Sequence, residues 1–367
     1  LGASMTQALG TAIVTDAFPG TERGRALGII GSIVSVGIIA GPTLGGLILG
    51  VLNWHWLFFV NLPVGILGVI LASRYIPSDY ARGRQQFDLR GAAAMFFTLA
   101  SLLLALTIGQ NSSFVSPTVL GLFAAAVIGL VAFIRIESRV SDPMIDLTMF
   151  KSRILTSNLL TGSLTFIGSA GAVLLIPFYL QDMRGFSPEQ AGLMMAVVPV
   201  ASGVFGPISG SLSDRFGSRA ITAIGLVSQI VGFMLISGVT LTTTVPEYLL
   251  RSLPLGIGIG LFQAPNNSAI MGSARRDQLG VVSGMLSLSR TLSQTAGIAI
   301  LTAVWTNFVL GIAGFIPAIG ATFAPVAAQV GGFQKAIWVT VGIVSAALVI
   351  SVVTSLTSPR KLIRSEN

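Results

Sequence analysis

The stretch Gly210–Arg219, GSLSDRFGSR, sets one carboxylate, Asp214, beside the guanidinium groups of Arg215 and Arg219. Gly210 and Gly217 permit a tight turn around it, and Leu212 supplies an apolar anchor. Asp214 is thereby placed to accept hydrogen bonds from Arg215, from Arg219 or from the free N–H groups at a neighbouring helix N-terminus. A solvated charge cluster is the plainer alternative. A second set, Ser283, Ser287, Arg290, Gln294 and Gly297, recurs at three- and four-residue spacing and so forms one stripe along a helix. Arg290 falls deep inside that helix, where a charge costs roughly 2.5–3.5 kcal/mol on insertion scales unless it meets a cavity or a partner. We expect it to face a central cavity. The amides Gln263, Asn266 and Asn267 flank Pro265, where a broken helix would present them to a solute, and Asn158, Gly162, Thr165 and Ser169 make a fainter stripe. Interhelical hydrogen bonds account for both groups as well as ligand contact does.

The elements that carry these residues are apolar helices. Charged residues make up 9% of the 367 and hydrophobic residues 53%, with a mean hydropathy of +0.86, against a charged fraction of roughly a quarter in soluble domains. Runs such as 26–54, 91–134, 154–181 and 291–334 contain no Asp, Glu, Lys or Arg. About 20 residues of helix cross a bilayer core. The pattern predicts eleven spans, near 1–15, 26–50, 56–76, 90–108, 117–135, 155–181, 189–213, 219–240, 247–270, 280–310 and 333–356. Short connections make successive helices alternate in direction. Of the 21 Lys and Arg, 17 then fall on one side, in the turns at Arg23 and Arg25, Arg74 to Arg90, Arg135 to Arg153, Arg215 and Arg219, Arg275 and Arg276, and Arg360 to Arg364. Arg184 and Lys335 fall on the other, and Arg251 and Arg290 inside helices. The positive-inside rule makes the first side cytoplasmic, the C-terminus included. The formal charge of +8 is dispersed rather than gathered on one face, so no nucleic-acid partner is expected. With no Cys and a single His, His55, no metal site is expected either.

Residues 28–46, GIIGSIVSVGIIAGPTLGG, place Gly28, Gly37, Gly41, Gly45 and Gly46 on a small-residue stripe, with Pro42 able to bend the helix. An internal shift of 256 residues superposes Gly24 and Gly28 on Gly280 and Gly284, each pair following a basic turn. The 28–46 pattern resembles the antiporter signature of the major facilitator superfamily, and GSLSDRFGSR resembles that superfamily's loop between paired helices. WHWLFFVNLPVGI, FDLRGAAAMFFTLASLLLAL, PMIDLTMFKSR and GFSPEQAGLMMAVVP are similar to the 14-helix drug:proton antiporters of EmrB/QacA type.

The resemblance implies an all-α polytopic membrane protein with the major facilitator fold and about eleven of fourteen helices. Residues 1–76 would be the rest of an N-terminal six-helix bundle, 77–150 an extra central pair with its linkers, and 151–367 a C-terminal six-helix bundle with a short tail. It implies export of small hydrophobic or cationic compounds across a bacterial cytoplasmic membrane by alternating access. The energy source would be the proton gradient, with no cofactor, and a periplasmic adaptor stays an open question. A dedicated exporter of one antibiotic, siderophore or metabolite fits the same pattern. The 13 acidic residues all fall near predicted helix ends or in loops, so the main proton-coupling carboxylate is expected in a segment before Leu1, with Asp16 and Asp182 as weaker local candidates. A membrane enzyme would need a convergent nucleophile, metal or buried acid–base set that this composition does not offer.

Overall fold

The computed structural model describes residues 2–76, 88–111, 114–140, 143–314 and 321–357. Among them are thirteen α-helical segments and no strand: α1 (Gly2–Ala17), α2 (Arg23–Val51), α3 (Trp56–Phe59), α4 (Asn61–Tyr75), α5 (Leu89–Asn111), α6 (Pro117–Glu137), α7 (Arg153–Pro177), α8 (Pro188–Met195), α9 (Val197–Phe216), α10 (Ser218–Ser237), α11 (Val245–Gly272), α12 (Leu279–Ala313) and α13 (Val326–Thr357). They form the eleven rods expected from the sequence, because α3 runs into α4 and α8 into α9. Eight helical segments among the described residues are long and apolar enough to cross a membrane.

Local chemistry explains where the rods start and break. Ser116, Ser152, Ser187 and Thr244 cap α6, α7, α8 and α11 by accepting from backbone N–H groups, and the last two form complete capping boxes with Gln190 and Glu247. The interruptions at Val60 and Ala196 lie three residues before Pro63 and Pro199, which leave the carbonyls of Phe59 and Met195 without their helical donors. After Pro177 the chain widens into a π-helical turn, Phe178–Met183, and Gly185 turns away with φ +70°. Gly217, at φ +87°, makes the one-residue joint between α9 and α10.

The described basic turns gather at one end of the bundle. Gly24 and Arg25 meet Asp214, Arg276 pairs with Asp16, and Arg219 reaches the Ser355 carbonyl near the end of α13. At the opposite end Arg184 donates to Thr240 O and Gln334, beside Lys335, to Val239 O. Arg251 pairs there with Glu247, one turn before it on α11, and also donates to Leu235 O. Arg82, Arg84, Arg360, Lys361 and Arg364 lie outside the described residues. The core is thickest in α7–α13, where Tyr179 stacks on Tyr248 and Phe333, and Phe178 on Trp305. By contrast α4 buries none of its residues. The α5–α6 hairpin joins the rest through Phe133, Ile145 and Met285.

One expectation is corrected. Pro265 does not break its helix: α11 is continuous from Val245 to Gly272 through Pro254 and Pro265. The backbone of α11 at Leu261 and Phe262 is clasped by Gly225 of α10, where a Cβ would stand 2.6 Å from Phe262 N, and packing by a neighbouring helix lets a proline-bearing helix run on. Glu137 falls at a helix end as expected, the last residue of α6, and is 4% exposed there.

Candidate functional site

At the basic-turn end, α2 lies on α9 with backbone against backbone. A Cβ on Gly28 would stand 2.5 Å from Gly206 O and one on Gly24 2.7 Å from Gly210 O, while a Cβ on Gly210 would overlap Gly24 O. The seam continues through Ser32, whose hydroxyl donates to Gly203 O at 2.5 Å, and Ser35, 3.2 Å from the hydroxyl of Ser202. At the head of this seam Asp214 accepts from Gly24 N and Arg25 N, each at 2.9 Å. Glu22, the residue at the N-cap position of α2, makes no side-chain cap. The orphan N–H groups of α2 are therefore capped from another helix, and the carboxylate sits at the positive end of the α2 dipole.

Arg215 and Arg219 do not pair with Asp214. Arg215 lies exposed over the Phe216 ring, 5.2 Å from its centroid, and Arg219 turns to Ser355 O at 3.2 Å. Leu212 is half-buried. On α2, Gly37 and Gly41 have nothing within 4 Å of a Cβ position, whereas Gly28 is closed against α9; the surroundings of Pro42, Gly45 and Gly46 lie outside what the structure describes.

A second seam joins α1 to α12. Arg276 Nε donates to Asp16 Oδ1 at 2.9 Å, and Ser287 to the carbonyl of Gln7 at 3.1 Å. Asp16, Arg23 and Arg276 line a cavity of about 370 Å³ there. Further along the same face of α12, the Arg290 guanidinium lies 5.3 Å from the Phe166 ring of α7, and a Cβ on Gly297 would overlap the Ile167 carbonyl. Among the described residues Arg290 makes no ion pair. Gln294, one turn on, is half-buried.

The remaining amides are dispersed. Asn266 is 1% exposed, with its Oδ1 unpartnered and its Nδ2 3.2 Å from a Cβ position on Gly162 of α7. Gln263 and Asn267 are half-buried on the same helix. Asn158, donating to Ile154 O, belongs instead to a hydroxyl-rich cavity of about 290 Å³ at the basic-turn end, lined also by Ser157, Thr161, Arg219, Thr222 and Ser355. Asp182 is exposed in the π-helical turn. The structure thus gathers Asp16, Asp214 and the first glycines of α2 at one end and leaves Arg290 and Asn266 on separate helix faces around α7. Sequence reading missed the α9 half of the seam, although Gly203, Gly206 and Gly210 already stand at small-residue spacing.

Comparison with known proteins identifies the family. Residues 1–298 match the family model described as Major Facilitator Superfamily. The Multidrug transporter protein MdtP of Bacillus subtilis (strain 168) is 32% identical over 305 residues, which are 83% of this chain and 56% of the relative. The Riboflavin transporter RibZ of Clostridioides difficile (strain 630) is 32% identical over 84% of this chain and 66% of its own length. The Multidrug export protein EmrB of Escherichia coli (strain K12) is 27% identical over 82% and 59%. The chain thus spans a little over half to two thirds of the length of these relatives. Among solved structures, the human organic anion transporter MFSD10 (TETRAN) superposes with a TM-score of 0.63 over 94% of this chain and 67% of its own, at 18% identity, a likeness of fold. With most of its length matching the family model and its helices packed in that fold, the chain is a multi-pass membrane protein that belongs to the major facilitator superfamily.

Proposed function

We propose that this chain is part of a secondary transporter that exports small hydrophobic or cationic compounds from the bacterial cytoplasm in exchange for protons. The observation that carries the reading is the capping of α2 by Asp214 of α9. A helix whose own N-cap is unsatisfied and whose donors are met from another bundle has a contact that two bodies make and break as units. With the basic-turn end facing the cytoplasm, the Asp214 cap and the Asp16–Arg276 pair form the closed inner gate, and parting α2 from α9 opens it. Arg290, held over Phe166 without a carboxylate partner, is the charge that faces the transport path. The α5–α6 hairpin is the extra pair of a 14-helix arrangement. Relatives named as multidrug transporters support export of varied drugs.

The second reading is transport of one dedicated solute, favoured by the relative named as a riboflavin transporter. Proteoliposomes carrying the full-length gene product separate the two. Proton release prompted by several unrelated hydrophobic cations supports drug exchange, response to a single solute supports the second reading, and no proton movement with any transported solute removes the antiport mechanism. Arg290→Lys distinguishes a role in the path from plain packing, since full export and coupling in that variant would return Arg290 to a structural part.

A further inference from the structure

We propose that Asp88 and Glu137 hold one proton between them, at the point where the α5–α6 hairpin meets the segment leading into α7. The two carboxyl groups are arranged alike. Asp88 Oδ1 caps α5, accepting from Arg90 N at 3.1 Å and Gly91 N at 2.9 Å, and Glu137 Oε2 accepts from Ile145 N at 3.2 Å. The other two oxygens, Asp88 Oδ2 and Glu137 Oε1, are buried and have no hydrogen-bond partner among the described residues, and Glu137 as a whole is 4% exposed. Both flank one glycine: a Cβ on Gly91 would overlap Asp88 Oδ2 and stand 2.7 Å from Glu137 Oε1. That puts the two oxygens within about 5 Å, the range over which like charge keeps both groups from ionising together.

Two buried acceptors with no donor carry a desolvation cost that one proton removes, because a carboxylic acid donates where a carboxylate only accepts. A metal ion fits less well. The backbone atoms bonded to the carboxyls are N–H groups, and two oxygens fall short of the six or more that hard cations take. Among the described residues no neighbouring cation takes the place of the proton. Arg90 on α5 and Arg135 and Arg139 at the end of α6 are exposed, as is Lys151 before α7. Asp146 is engaged by Thr148, α7 contributes Leu159 and α12 contributes Val281 and Met285, and no ion pair among the described residues includes Asp88 or Glu137.

When the proton leaves to water, two buried carboxylates remain side by side, and the pocket has to open to water to solvate them. Ile145, held to Glu137 through its N–H, sits against Phe133 and Met285 and ties the hairpin to α12, so the opening falls on the segment at Met144 and Ile145.

Infrared difference spectroscopy of the chain in lipid nanodiscs tests this. A protonated-carboxyl band should be present near neutral pH, disappear in alkaline buffer, and be lost in both Asp88→Asn and Glu137→Gln. The Gln amide can accept from Ile145 N and donate to Asp88, so that variant keeps the protonated shape. Because the chain has no cysteine, Met144→Cys gives a single labelling site beside Ile145. Its labelling should rise more steeply with pH in the parent chain than in the Glu137→Gln background, where the reagent's own pH dependence is the same. A carboxyl band untouched by either substitution, or identical labelling profiles in the two backgrounds, overturns the shared proton.

Discussion

Helices α2 and α12 begin in the same way and end up in opposite surroundings. Each follows a basic turn and sets two glycines four residues apart, Gly24 and Gly28 in α2, Gly280 and Gly284 in α12. In α2 both glycines are closed against the α9 backbone; in α12 nothing lies within 4 Å of either Cβ position. The difference comes from the partner. Helix α9 brings Gly203, Gly206 and Gly210 to the crossing, so two glycine faces meet and the chains touch through carbonyls and Cα atoms. Helix α12 and the turn before it meet α1 instead through the side chains of Ser287 and Arg276. Spacing of small residues therefore licenses a close approach, and a reciprocal glycine face is what makes one.

The largest effect that separates the two helices is at their second glycine. In Gly28→Ala the new Cβ meets Gly206 O and, at 2.8 Å, Pro207 Cα, both of them backbone that cannot swing aside. Overpacking of this kind costs about 1–3 kcal/mol, so the closed seam should lose population by roughly 5- to 150-fold. Spin labels on Glu22→Cys and Phe216→Cys, in a chain otherwise free of cysteine, read this as a longer distance between α2 and α9. An unchanged distance distribution in Gly28→Ala would mean that the seam is not held by backbone contact.

The next effect is electrostatic. Asp214→Ala removes the cap that Glu22, at the N-cap position of α2, does not supply, a loss of about 0.5–2 kcal/mol. Asp214→Asn should fall between, since an amide oxygen still caps and only the charge–dipole part, about 0.3–1 kcal/mol, is lost. The same spin-label pair ranks them. If Asn opens the seam as far as Ala, the contact depends on charge alone and the capping geometry is incidental.

Much of this was legible in the residues. The eleven rods follow from hydrophobic length, and the gathering of the described basic turns at one end follows from the alternation of connections rich and poor in Lys and Arg. Asp214 was legible as an acceptor for a helix N-terminus because Gly210 and Gly217 mark its turn. Its donor was not: Glu22 stands at a position where an acid could cap α2 itself, and only the folded chain shows that side chain unused. The continuity of α11 through Pro265 was hidden for a similar reason, because that stretch packs against Gly225 of another helix. Glu137 reads as an acid at a helix end, as it is, but its burial follows only from the segment at Met144 and Ile145 folding back over it. In each case the missing information was a contact between residues distant or indirect in sequence, which periodicity along one helix does not carry.

Gly284→Ala is the counterpart of Gly28→Ala and should act in the opposite direction. With open space at its Cβ position and a helical backbone, alanine meets no obstacle and lowers the entropy of the unfolded chain, a gain of about 0.4–1 kcal/mol. A modest rise in melting temperature in detergent, with no change in the distance between α2 and α9, sharpens the comparison. A fall in melting temperature would mean that α12 does meet a close partner at this glycine, and the asymmetry between the two helices would be lost.

The smallest effect belongs to the ion pair of the α1–α12 seam. Arg276 Nε lies 2.9 Å from Asp16 Oδ1, a distance as short as those at Asp214, but its side chain is 84% exposed and that of Asp16 24%. Water and salt screen such a pair, and exposed pairs typically contribute only about 0.2–1 kcal/mol. Asp16→Asn should therefore loosen the α1–α12 contact slightly at low ionic strength and have almost no effect in concentrated salt. Asp214→Ala should keep its effect in both conditions, because the carboxylate it removes is hydrogen-bonded directly to backbone N–H groups at a packed crossing. Distance measurements across each seam at two ionic strengths compare the two carboxylates directly. Equal salt sensitivity at Asp16 and Asp214 would put both on the same footing as surface charges, and the backbone cap would no longer distinguish the α2–α9 seam.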